Sequence, residues 1–185
     1  MRKVLITAAT FKPLEVDIIK ARPEIRGLVG DDDNLLVADN LESAIAAYEE
    51  YTNNVLCSSE WDLYLDRFPR HHGDIETPGP LAGVDSIKYQ DSADTQQEIS
   101  SSYYIVDTTN PLAGRISLAY GQCWEVAYDE INAVVVRFLA GYANQNSIPR
   151  LIKDGLIAKI QELFSGVDMS GVYEDNWFNY RRRPI

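Results

Sequence analysis

The sequence predicts an α+β fold, with N-terminal helices, central antiparallel β-strands, one C-terminal helix and an extended C-terminal tail. Three observations carry this reading. Apolar residues recur at three- and four-residue steps before Asn53, short runs of strand character fill residues 55–142, and helical spacing returns after Ser147.

Residues 1–13 read as an irregular polar arm ending at Pro13. Leu14, Ile18 and Ile19 then fall on one side of a short helix over 14–21, which Pro23 breaks. Asp31, Asp32, Asp33 and Asn34 offer caps and negative charge at the start of the next helix. That helix runs over 35–52, with Ala38, Leu41, Ile45, Tyr48 and Tyr51 as its apolar stripe, and Asn53-Asn54 ends it. From Ser59 to Asp66 the period changes to two. Trp61, Leu63 and Leu65 alternate with Glu60, Asp62 and Asp66, the pattern of a strand with one wet face. Further strands are expected over 84–89, 103–106 and 115–119, with a turn at Asn110-Pro111. Ile131–Ala140 is the most apolar run and should be central in its sheet. The last helix covers 148–164, with Pro149 in its first turn and Ile152, Leu156, Ile157, Ile160 and Leu163 facing the core. Ser165-Gly166 closes it. The division that follows is a body over 1–165 and an extended tail over 166–185.

Composition bounds the function. The chain has 185 residues, a net charge of −11 and no apolar stretch of the length a membrane span needs, about 18 residues. Removing Arg181, Arg182 and Arg183 from that balance leaves −14 on residues 1–180, the wrong sign for gripping phosphates. Cys57 and Cys123 are too few for a disulfide scaffold and read as buried or half-buried strand thiols, which fits a reducing compartment.

Motifs for chemistry are missing or incomplete. Asp31 to Glu42 has the length of a calcium loop, but its fifth and sixth positions are Leu35 and Leu36, where an oxygen ligand and a glycine are required. His71-His72 are the only histidines, and the sequence around them reads as a loop without a metal-ligand or nucleophile pattern. Neither GxxxxGK nor GxGxxG occurs. No catalytic residue, metal ligand or cofactor site is assigned.

The tail is different. Tyr173, Trp177, Phe178 and Tyr180 beside Arg181, Arg182 and Arg183 are the residue types that anchor interfaces, set in a segment without clean periodicity. They read either as a tail folded back on its own domain or as a dock for another subunit, and the second reading is preferred.

The middle of the chain resembles the head–tail connector (head-completion or adaptor) proteins of tailed phages. The resemblance rests on motifs in order: Ser59–Pro69 with Trp61 and a closing Asp66-Arg67-Phe68-Pro69, then Ile75-Glu76, Pro78, Pro80-Leu81 and Val84–Tyr89 with Asp91. Tyr104–Asp107, Gly114–Ile116, Val136–Tyr142 and Ile148-Pro149 with Leu151–Lys153 follow. Helix 35–52, ending Tyr48-Glu49-Glu50-Tyr51-Thr52, resembles the family's N-terminal helix; the segment with Pro23 and Gly27 and the tail after Gly166 fall outside the pattern. The resemblance implies a non-enzymatic virion protein of the neck, assembled in the host cytoplasm. It would form a ring, usually a dodecamer, under the portal protein, extending the DNA channel and offering a platform to a downstream neck or tail protein. DNA would pass through the lumen without specific binding, which an acidic wall permits. Alternatives are a tail-terminator or other neck protein on the opposite face of the connector, and a small hydrolase using His71 or His72.

Overall fold

The structure is a computed structural model that describes residues 2–182 except Leu28, Asp31, His71 and His72. The expectations for Asp31, the histidine loop and Arg183 therefore fall outside the described residues. The fold is α+β, as expected. Its compact units cut the chain differently from a 1–165 body with a 166–185 tail. One is built from Met1–Thr10 and Ser58–Gly141, the other from Phe11–Cys57 and Tyr142–Ile185.

The first unit holds the strands β1 (Arg2–Thr7), β2 (Ser59–Leu65), β3 (Ile75–Pro78), β4 (Leu81–Gln90), β5 (Gln96–Glu98), β6 (Tyr104–Asp107), β7 (Ala113–Leu118) and β8 (Val134–Ala140). Five of them form a sheet in the order β1-β2-β8-β4-β5, and three form a second in the order β3-β7-β6. All these pairings are antiparallel. The apolar run before Gly141 takes the central position that its composition predicts. Val134, Val136, Phe138 and Ala140 are buried, while Val135, Arg137 and Leu139 point to the other face. Leu63 and Ile87 flank Val136 in register and share its burial.

Two expectations for this unit are corrected. Residues 2–7 are not an irregular arm: β1 pairs along β2, with Lys3 opposite Leu63 and Leu5 opposite Trp61. Partner strands override weak local signals of this kind, because strand preference is mostly a preference for neighbours. Asp62 does not lie on a wet face either. Its residue is only 4% exposed, and Arg137 opposite it forks onto both carboxylate oxygens, Nε to Oδ1 and Nη2 to Oδ2, each at 2.9 Å. A buried carboxylate needs such a partner, and one long cross-strand neighbour supplies it. Trp61 shares the face of Leu63 as expected but is half-buried, with the Lys3 ammonium 4.8 Å from its ring centre.

The second unit contains α1 (Val16–Lys20), α2 (Asn34–Thr52), α3 (Arg150–Ser165) and α4 (Ser170–Trp177). Asn53 ends α2 in the left-handed region at φ 56°, and Gly166 does the same for α3 at φ 69°. The buried stripe of α2 is Val37, Leu41, Ala44, Tyr48 and Thr52, rotated from the expected one. Ala38, Ile45 and Tyr51 sit on its half-buried margin. In α3, Ile152, Leu156, Ile157 and Ile160 are buried as their spacing predicts, whereas Leu163 is 42% exposed. Cys57 is buried outside any strand, and Cys123 is exposed in a loop, so neither is a strand thiol.

Candidate docking surface

The segment expected to be an extended tail folds instead. Ser170–Trp177 form α4, and Phe178–Tyr180 add a 3-10 turn. A helix of two turns is marginal by itself, so what holds it must be tertiary packing. The packing centres on Trp177, which is fully buried. Its ring meets Tyr48 edge-on at 5.5 Å and Tyr173 at 5.0 Å, and its indole N–H donates to the Ile152 carbonyl at 3.3 Å. Gly155 makes this possible. A Cβ there would sit 2.2 Å from the Trp177 Nε1, so only glycine lets the indole lie flat on α3.

Around that anchor the other expected residues divide. Tyr173 is half-buried, accepts a bond from Lys159 Nζ at 3.3 Å and carries the same ammonium 4.9 Å from its ring centre. The Tyr180 carbonyl accepts from Asn54 Nδ2 at 2.8 Å, and the Arg182 N–H donates to the Thr52 carbonyl at 2.8 Å. These bonds tie the chain end to the end of α2. Phe178, 55% exposed, and Arg181, whose guanidinium lies 5.3 Å from the Tyr51 ring centre, face outward. Thus Trp177 and Tyr173 are internal anchors, and the outward chemistry is carried by Phe178 and Arg181.

Lys159, Gly155 and Tyr48 were not singled out in the sequence as partners of the tail. An isolated glycine inside an apolar helical pattern was the one available signal, because such a position commonly marks close packing.

Electrostatics reinforce the clamp. Glu162 accepts from Lys159 Nζ and from the Met169 N–H at 2.8 Å, and these bonds hold its carboxyl below the usual 4.5. A depressed folded value contributes stability that is present above the unfolded value and lost as pH falls through the folded one. The α3–α4 junction is therefore expected to loosen as pH drops below about 4.5. Glu162→Gln should flatten that acid limb in amide hydrogen exchange of α4; an unchanged limb would assign it to other groups. Burial pushes the Tyr142 phenol and the Cys57 thiol each up to about 12, so both are neutral near pH 7.

A second exposed apolar surface lies in the strand unit, in the loop 119–133. Trp124 stacks on Phe68 at 5.1 Å and donates to the Gly73 carbonyl at 2.8 Å, which pins the loop. Tyr120, Val126 and Ile131 remain outside, the last two at least 80% exposed. Among the described residues, no group of three His, Cys, Asp or Glu could hold a metal, and no helix is long and apolar enough to cross a membrane.

No family model matches the chain, and no curated protein matches it. Solved structures do. A chain in the neck of an empty gene transfer agent particle, computed with C6 symmetry, has a TM-score of 0.77 at 19% identity, covering 100% of this chain and 97% of that one. This chain shares its fold with a chain of a particle neck. A chain of the native gene transfer agent virion gives 0.74 at 19% identity, and one of the native neck computed with C12 symmetry gives 0.72 at 18%, both with the same coverage. At such identities the likeness is one of fold. It spans both units, α4 included.

Proposed function

We propose that this chain is a structural, non-catalytic subunit of a phage-like neck, one copy in a ring beneath the portal that extends the DNA channel and joins head to tail. The observation that carries the reading is the likeness of fold over the whole chain to chains of particle necks, two of them computed with rotational symmetry. The order of connector-like motifs over 55–165 supports it independently. The net charge of −11 is compatible with DNA moving through a lumen, since an acidic wall has no cations to displace counterions.

In this reading the chain end docks on the portal or a neighbouring subunit through Phe178, Arg181 and the arginines beside it. Tyr173 and Trp177 hold that tip in place instead of reaching the partner. Forked guanidinium contacts to carboxylates would give it geometry as well as charge, and many copies around one ring would multiply weak single contacts.

Cryo-microscopy of the purified chain mixed with its portal tests the reading. A ring on the portal is the expected result, and removal of residues 178–185 should abolish attachment while leaving α4 folded. A ring seated on the tail side would favour the tail-terminator alternative. A stable two-fold dimer at every concentration would overturn the ring.

A further inference from the structure

We propose that the two outer strands of the five-stranded sheet are the joint between neighbouring copies of this chain, β1 of one copy lying beside β5 of the next. The proposal rests on the ring reading above and names the surfaces that close it.

Among the described residues each outer strand has one partner in the sheet, β1 with β2 and β5 with β4, so each presents an outer backbone edge. Neither strand has a buried residue, although a sheet strand ordinarily buries one face. Leu5 and Ile6 are 46% and 42% exposed, and all three residues of β5 are exposed. The β4–β5 turn is stiff: the Asp91 carboxylate accepts from the N–H groups of Ala93 and Thr95 and from Gln97 Nε2, at 2.8, 3.0 and 2.9 Å. It presents β5 in a fixed position.

Charge selects which edges meet. β1 carries Arg2 and Lys3, whereas β5 and its turn carry Glu98, Asp91 and Asp94. A two-fold pairing of β1 with β1 runs antiparallel and, since β1 has no carboxylate, leaves Arg2 and Lys3 without an opposite charge; pairing it with β5 sets opposite charges together. The register makes this specific. Arg2, Tyr64, Val135, Lys88 and Glu98 form one continuous cross-strand row, with Arg2 and Glu98 at its two ends. Residues paired in a row share a face, so in an unshifted joint Arg2 of one copy comes opposite Glu98 of the next. Direction agrees as well. Four antiparallel steps separate β1 from β5, so the two run the same way, and rotation about a ring axis preserves that direction. The joint is therefore parallel and head-to-tail, the kind of contact that closes a ring.

The test uses the full chain with Cys123→Ser, which removes the exposed thiol. R2C/E98C is expected to give a ladder of covalent oligomers beyond the dimer on mild oxidation, and each single cysteine variant none. Dimers from R2C alone, in the yield of the double variant, would show residue 2 meeting its own copy instead of residue 98 and overturn the proposal. So would the absence of any ladder, because trapping requires only a passing contact. In micrographs of the chain with its portal, R2E and E98R should each lose the ring, and R2E/E98R should regain it. Rings that survive both single reversals would overturn this joint and leave the ring reading standing. A chain that never forms rings at all would remove both.

Discussion

Trp177→Ala is expected to cost the helical unit about 3–5 kcal/mol, the range for deleting a large buried aromatic. Nothing nearby can collapse into the space without moving whole elements, since Tyr48, Tyr173 and Ile152 on three different helices all meet this one ring. Gly155→Ala should act through the same contact from the other side, because its new Cβ would fall 2.2 Å from the indole nitrogen. Phe178→Ala is the control. Its side chain is 55% exposed, and surface changes of that kind usually stay within about 0.5 kcal/mol. Thermal unfolding followed by helix signal should separate the three. Equal melting curves for Trp177→Ala and Phe178→Ala would mean that α4 is not docked. Truncation at Val172 should by this packing unfold the helical unit, since it removes Tyr173 and Trp177 together.

Arg137→Ala should cost about 2–4 kcal/mol by leaving the Asp62 carboxylate unpaired inside the sheet. The figure lies toward the low side for a broken buried pair because the Arg137 side chain is 37% exposed and solvent screens part of the effect, whereas that of Asp62 is only 6% exposed. Removing both charges should be milder: with Asp62→Leu added, the sheet keeps its packing and loses the orphaned charge. Denaturant midpoints of the two variants would check this. A double variant less stable than Arg137→Ala would mean that the fork contributes more than it costs to bury.

Regular elements were legible where the residues announce their own environment. Val136 and Phe138 read as central because nothing polar interrupts their face, and α3 reads as a helix because Ile152, Leu156 and Ile160 repeat on one side. Legibility failed where a partner distant in sequence decides. Asp62 looks like solvent-facing surface until Arg137, far along the chain, is placed opposite it. Residues 2–7 look irregular until β2 lies beside them. The chain end is aromatic and basic in sequence, but composition cannot tell an anchor from a hand. Trp177 and Phe178 are adjacent and chemically alike, and only the cradle at Gly155 sends one inward.

The interleaved course of the chain has a consequence during synthesis. The helical unit is assembled from residues 11–57 and 142–185, with most of the strand unit made in between. At ribosomal speeds of about 5–20 residues per second, α2 waits roughly 5–20 s after emerging before α3 exists to cover it. Through that interval Leu41 and Tyr48, later fully enclosed, stand in water on a nascent chain. The strand unit can close first, because its N-terminal piece is only β1 and the rest is continuous. Folding is then a relay in which the sheet forms while the early helices are still unpartnered. A slow stretch of translation after Gly141 would prolong the most aggregation-prone moment in the life of the protein, whereas one between β1 and α2 would cost little.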